Sequence, residues 1–370
     1  MKPIYLDNHA TTQVDPQVLD AMLPYFTEEY GNPASRTHRY GWKAEEAIEN
    51  AREQLANLIN ADSNQIIFTS GATESNNMVI NHFDNDYCIS TAIEHSSIKN
   101  VLKDWCVDEI AVNQDGTVDL DHLHDILREA TYFNAAFVMA VNNEMGTIQP
   151  IEIVKSMVKD IKVHSDMAQA LGKINIDVQN LDIDFASFSA HKIYGPKGVG
   201  ALYIKEPEGF KSLIQGGDHE FGLRAGTPNV PAIVGFGKAC EIIQTESVHK
   251  IASRILSMNL KLKSLLRELI PDIIIHEFPK AVSNTVHIAV PCQDMDVFMS
   301  ALEPNVSVSF GSACMSLHDA NSYVLKAVGI PEEEVLRSIR IGIGKFNTKE
   351  EMELAANYIA EAVRTSSEGG

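Results

Sequence analysis

Along the first 250 residues, short apolar runs alternate with stretches of helical periodicity, and this alternation constrains the fold more than any other feature of the chain. The runs at 65–69, 87–90 and 135–141 read as strands, followed later by 185–188 and 201–204. Between the early runs lies a helix from Trp42 to Ile59, with Trp42, Ile48, Ala51, Leu55 and Leu58 on one stripe. Asp15-Pro16 reads as an N-cap followed by a first-turn proline, opening a helix through Met22 and Phe26. Strands and helices alternating in this way predict an α/β domain with a largely parallel sheet. After about residue 250 the pattern changes. A long helix, roughly 251–269, leads into alternating strands at 284–290 and 338–342, which suits a smaller α+β domain.

A chain of 370 residues is too long for one small core and suits two domains, or one large domain with an appendage. The formal charge of −20 argues against direct nucleic-acid binding, which needs a positive surface to displace counterions. No stretch approaches the length of a membrane span, and the first residues lack the pattern of a cleaved leader. Five scattered cysteines, Cys88, Cys106, Cys240, Cys292 and Cys314, suggest neither a disulfide framework nor a metal site, and fit a reducing cytoplasm. Residues 365–370 read as a frayed terminus.

Three segments can carry chemistry. In Thr69-Ser70-Gly71-Ala72-Thr73-Glu74-Ser75-Asn76 a strand ends, a glycine allows a tight turn, and hydroxyl residues open the next helix. Free backbone N–H groups there would cradle a phosphate, although an ordinary capped turn carries the same signature. Lys192 follows a strand, beside Ser189 and His191 and before a glycine-rich turn. Its amine could condense with an aldehyde cofactor; taken alone, it also reads as a surface lysine. The run 195–200 precedes a strand instead of bridging strand to helix, which excludes a dinucleotide-binding loop. The third segment, 164–169, ends another strand, where the ligand crevice of an open parallel sheet lies. Asp166 there either pairs with a protonated pyridine nitrogen or caps a helix. His122 and His124, beside Asp121 and Asp125, read as a solvated helix face, and His276 and His287 as structural.

These segments keep company with Tyr5-Leu6-Asp7, Ala10-Thr11-Thr12, Gly31-Asn32-Pro33-Ala34-Ser35, Glu94-His95 and Asn142-Asn143-Glu144. Further on come Arg224-Ala225-Gly226-Thr227, Gly311-Ser312-Ala313-Cys314 and Ser338-Ile339-Arg340. In order and spacing, nearly end to end, the chain resembles the cysteine desulfurases, within the class V branch of fold-type-I pyridoxal-phosphate enzymes. The resemblance implies a large cofactor-binding domain at 13–250 with a mostly parallel seven-stranded sheet. It also implies a small α+β domain, formed by 1–12 and 251–370, that carries the cysteine loop. Pyridoxal 5'-phosphate would be the cofactor, L-cysteine the substrate, and alanine plus a persulfide on Cys314 the products. Lys192 would hold the cofactor covalently and move the substrate α-proton. His95 would stack on the ring and serve in proton transfer, Asp166 would pair with the pyridine nitrogen, and Gln169 would bond the ring hydroxyl oxygen. Ala72, Thr73, Ser189 and His191 would hold the phosphate, joined by Thr227 from the partner of a homodimer. Asn143 and Arg340 would hold the substrate carboxylate. Cys314 would attack as a thiolate and deliver its sulfur to an acceptor protein.

Departures from the family pattern lie at Asn8-His9, at Met167, and at Phe310 before the cysteine motif. None removes a catalytic group. They suggest a specialised branch, feeding DNA phosphorothioation or tRNA thiolation in place of general iron–sulfur assembly. The rival readings on this fold are a selenocysteine lyase and an aminotransferase, and the latter has no use for Cys314.

Overall fold

The computed structural model describes residues 2–83, 87–129, 132–310 and 322–368. Cys314 lies outside the described residues. The chain opens with a two-residue strand, β1 (Ile4–Tyr5), and then builds the seven strands of a central sheet. These are β2 (Ile66–Thr69), β3 (Tyr87–Thr91), β4 (Cys106–Ile110), β5 (Ala135–Phe137), β6 (Lys162–Asp166), β7 (Phe185–Ser189) and β8 (Gly200–Ile204). Their order is β2-β8-β7-β6-β5-β3-β4. β8 runs antiparallel to both neighbours and the other six share one direction, so the largely parallel α/β sheet expected from the sequence is present. Six of these strands, all but β4, are buried along their whole length or nearly so, as helices on both faces require.

One face is covered by the Arg39–Ile59 helix packed on the Val230–Glu246 helix. Gly237 makes that crossing close, because a Cβ there would sit 2.6 Å from the Ala51 Cα. The first of these helices starts at His38, which accepts from the Gly41 N–H, and stops at Asn60 in the left-handed conformation. Its buried stripe is Ala44, Ala47, Ile48, Ala51, Leu55 and Ile59. Trp42 does not join it and is exposed, six residues and therefore about 120° round the helix from Ile48. Asp15 caps Pro16–Met22 as expected, but the helix does not continue to Phe26. Pro24 has no N–H to extend it, and a separate turn, Pro24–Thr27, follows. β5 also ends earlier than its apolar run. Beyond Phe137 only the β6 side still pairs, through Val138 N–H to His164 O and Ala140 N–H to Asp166 O.

The remaining strands form a second layer. β9 (Ile274–His276), β10 (Thr285–Ala289), β12 (Ser309–Phe310) and β13 (Ser338–Gly342) make an antiparallel sheet in the order β12-β13-β10-β9. β11 (Val306–Ser307) instead pairs parallel with β1, Ile4 opposite Val306. Helices Val248–Leu269 and Lys349–Glu368 pack on this layer, and their core takes in Ile4 and Leu6 from the start of the chain. The last helix runs through 365–368, where a frayed end was expected. Ser366 is buried, and its hydroxyl, like that of Ser367, donates to the Val363 carbonyl.

Candidate active site

A cleft of about 570 Å³ opens beyond the C-terminal ends of β2, β6 and β7, where an open parallel sheet leaves its ligand crevice. Ala72, Thr73, His95, Asn143, Asp166, Gln169, Ser189, His191, Lys192 and Arg340 all line it. Thr227 does not: it is exposed on its own chain.

The cradle at the end of β2 forms as the turn chemistry dictates. Gly71 leads into the Ala72–His82 helix, whose start carries no side-chain cap and whose first residues line the cleft. Ser189 stands beside Gly71, and Gly200 of β8 admits the turn, since a Cβ on it would lie 2.6 Å from the Gly71 Cα. Glu74 on the first turn accepts from the Ser70 N–H and from Arg224 Nε at 2.8 Å, which ties the 224–227 motif to this helix.

Asp166 ends β6 and is 6% exposed. Its Oδ2 accepts from Asn76 Nδ2 at 2.8 Å and its Oδ1 from the Ala168 N–H at 2.9 Å. Asn76 Nδ2 also donates to Ser97 Oγ, which in turn meets His95 Nδ1 at 2.8 Å. The aspartate and the histidine are therefore oriented by one small network. Lys192 sits in the helical turn Ala190–Lys192 after β7, and its Nζ donates to the carbonyls of His9 (2.6 Å) and Ala10 (2.8 Å). Gln169 donates to the same His9 carbonyl, while its Oε1 accepts from Lys173 and meets His9 Nδ1.

On the opposite wall, Arg340 of β13 is 2% exposed. Its Nη1 donates to the Asn143 carbonyl at 2.7 Å and its Nη2 pairs with Asp7 at 3.1 Å. Two partners leave free N–H donors for an anion. Lys192, Lys197 and Arg340 outnumber Glu74 and Asp166 among the charged groups lining the cleft, although the chain is acidic. Burial, then the charges of Lys192, Lys197 and Lys173, push His191 down to about 4. Burial, then Lys192 and Arg340, hold the Lys173 amine well below its ordinary value. Anionic groups on a ligand would relieve this crowding.

Four residues that the sequence did not single out complete the site. His9, Asn76 and Lys173 hold predicted groups in place. Glu94, at the foot of the wall, accepts from the Met139 N–H and the Thr91 hydroxyl, and burial pushes its carboxyl up to about 7. His9, Asn76 and Glu94 stood within segments already singled out (Asn8-His9, 69–76 and Glu94-His95) without a role of their own, and Lys173 carried no signal. His276 and His287 contact each other at 2.9 Å, and His122 and His124 are exposed, as expected.

A family model described as aminotransferase class-V matches residues 4–354. The chain belongs to this family. Within it, the chain is similar to the cysteine desulfurases. A mitosomal cysteine desulfurase of Encephalitozoon cuniculi is 41% identical over 380 residues, spanning 98% of this chain and 87% of that one. The cysteine desulfurase IscS of Rickettsia typhi is 40% identical over 377 residues, spanning 98% and 91%. The crystal structure of a NifS-like protein from Rickettsia africae ESF-5 superposes with a TM-score of 0.89 at 32% identity, over 98% and 99% of the two chains.

Proposed function

We propose that the cleft binds pyridoxal 5'-phosphate and converts L-cysteine to L-alanine, with the sulfur passing to Cys314 as a persulfide. The observation that carries this reading is the convergence on one cleft of Lys192, Asp166 and Arg340, from β7, β6 and β13. The family's cysteine desulfurases match over nearly the whole chain, which favours this activity over a selenocysteine lyase or an aminotransferase.

The residues present fit the cofactor. The uncapped start of the Ala72–His82 helix, with Thr73, Ser189 and His191, offers donors to a phosphate. Asp166 offers a buried carboxylate to a ring nitrogen, and Lys192 an amine to an aldehyde. Bound there, pyridoxal phosphate supplies an electron sink that acidifies the substrate Cα–H bond.

Each side chain then has a defined task. Asp166 holds a proton on the pyridine nitrogen, its own two oxygens kept in place by Asn76 and the Ala168 N–H. Gln169 is held by His9 and Lys173 to present its amide to the ring hydroxyl oxygen. His95, oriented by Ser97, covers the ring and shuttles protons at the substrate. Lys192 moves the proton at Cα. Arg340 and Asn143 bind the substrate carboxylate, and the low polarity around a 2%-exposed guanidinium strengthens that pair. Cys314 attacks the substrate sulfur as a thiolate.

The same reading supplies the surroundings. Thr227, exposed here, completes the phosphate site of a second copy, and Phe26, Tyr30, Tyr40 and Trp42, all exposed, suit burial between two copies in a homodimer. The second partner is a sulfur-acceptor protein of iron–sulfur assembly, tRNA thiolation or DNA phosphorothioation. Among the described residues no helix is long and apolar enough to cross a membrane, and the four described cysteines are free, which fits a cytoplasmic setting. We place the domain division at 13–250 against 1–12 with 251–370, supported by the separate core that Ile4 and Leu6 share with residues 251–363.

Cys314→Ser tests the function. It should keep the cofactor and bind cysteine yet stop producing alanine and sulfide, because a serine hydroxyl cannot carry a persulfide. In the parent, mass spectrometry after brief exposure to cysteine should find one added sulfur on Cys314 and none on Cys88, Cys106, Cys240 or Cys292. Normal alanine release by the variant, or sulfur mainly on another cysteine, refutes the assignment.

A further inference from the structure

Behind the guanidinium of Arg340 lies a run of hydrogen-bonding side chains that the reaction above does not use. β10 and β13 pair antiparallel with His287 directly opposite Arg340, so the two side chains share one face of the small sheet. One strand further out, His276 of β9 is opposite His287. The two imidazoles stack with centroids 5.1 Å apart and their Nδ1 atoms 2.9 Å apart, and His276 Nε2 lies 3.0 Å from Glu334 Oε2.

Donor and acceptor roles along this run follow from the acid at its outer end. The Glu334 carboxylate accepts, so His276 Nε2 carries the hydrogen and, in the neutral ring, His276 Nδ1 is left as an acceptor. His287 Nδ1 must then donate to it, which leaves His287 Nε2 as a bare lone pair. Burial, ahead of the neighbouring charges, pushes His287 down to about 3, which keeps that ring neutral.

Among the described residues His287 Nε2 is buried without a partner, and so is Arg340 Nε. One is an acceptor and the other a donor, on directly opposed residues. A buried polar group left unmade is costly, and complementary orphans side by side are a means of avoiding that cost. Arg340 lines the cleft, yet its Nε is sealed from solvent. The guanidinium therefore turns its Nη edge to the cleft and its Nε edge into the sheet, where a ligand does not reach.

We propose that His287 is a positioning residue for carboxylate recognition: its Nε2 accepts from Arg340 Nε through one bridging water, and Glu334 with His276 sets the tautomer that allows it. This rests on the reading of Arg340 as the carboxylate anchor. His287 fixes the rotation of the guanidinium plane, and with it the direction of the Nη donors.

The test is a spectral titration of the cofactor-loaded enzyme with L-alanine and with ethylamine, two amines that differ in the carboxylate. His287→Leu should weaken L-alanine by about tenfold, the loss of one hydrogen bond to a charged group, and leave ethylamine within about twofold. His287→Gln, which keeps an acceptor, should recover most of the L-alanine affinity. An unchanged L-alanine affinity in His287→Leu, or equal losses for both amines, overturns the proposal. Should that variant fail to fold, Glu334→Leu removes the tautomer lock from the half-buried outer end of the run; a selective loss for L-alanine supports the proposal and its absence overturns it. A parent enzyme that binds the cofactor but makes no alanine from cysteine would instead refute the desulfurase reading, a result separable from any of these.

Discussion

Asp166→Asn separates the electrostatic role of this residue from its structural one. Both carboxylate oxygens accept hydrogen bonds, from Asn76 Nδ2 and from the Ala168 N–H. An asparagine can keep the Ala168 bond with its oxygen, which leaves its amide group facing Asn76. That encounter between donors is relieved by turning the Asn76 amide, whose buried Oδ1 has no partner among the described residues. Ser97 Oγ then gives its one hydrogen to Asn76 in place of His95 Nδ1, which keeps the Ser97 N–H as its donor. The folded state should therefore lose little, within about 1 kcal/mol, and the melting temperature of the cofactor-free protein should barely move. The charge is another matter. A carboxylate about 4 Å from a protonated ring nitrogen contributes about 4 kcal/mol at an effective dielectric of about 20, a factor of roughly 10³ in rate. Alanine formation from L-cysteine, measured as kcat/KM, should fall by about that factor in a variant that still retains cofactor. A variant within tenfold of the parent would refute the reasoning, because the ring nitrogen would then not depend on this carboxylate.

Three further outcomes follow from the site. Lys192→Ala should lose the absorbance band of the covalently held cofactor, and a colourless parent that cannot be reconstituted with pyridoxal phosphate would refute the cofactor assignment itself. Thr227→Ala should lower cofactor retention, measured by dialysis, more than it lowers the melting temperature; sedimentation of a fully active monomer would contradict the shared site behind it. Glu94 is held up at about 7 against an ordinary 4.5 by burial, which outweighs its bonds to Met139 and Thr91. Its raised folded value means that the protonated form favours folding: the stabilisation is full below pH about 4.5 and is lost as pH rises through about 7. Glu94→Gln keeps the acceptor oxygen and removes the titration, so the parent's melting temperature should fall relative to the variant's across that window, and parallel curves would refute the burial argument.

His95, Asn143 and Arg340, the last inside β13, were legible only through the family resemblance, whereas the other groups lining the cleft stand at or just after strand ends, which converge on one crevice in a parallel sheet. Asp166 after β6, Lys192 after β7 and the turn after β2 all show this. The residues that hold them were not legible, since their partners lie far off in the chain. Asn76 reaches Asp166 across 90 positions and His9 reaches Gln169 across 160, and no periodicity encodes either contact. Local errors had local causes. Trp42 was placed on the buried stripe by its hydrophobicity, although its angular position faces out. Residues 365–370 read as a frayed terminus, yet over 365–368 Ser366 and Ser367 turn their hydroxyls back onto Val363 while the helix rests on Val248–Leu269.

The first dozen residues have a consequence for how the enzyme is made. Ile4 pairs with Val306, Asp7 with Arg340, and the carbonyls of His9 and Ala10 receive Lys192, while Thr11 meets His191. Residues 4–7 thus wait for strands synthesised some 300 positions later before they have a place to lie. A nascent chain that has emerged only to residue 250 holds the large sheet but lacks the contacts of 4–7 with 306 and 340. Cofactor loading is accordingly expected only once residues 306–340 have emerged and met residues 4–7.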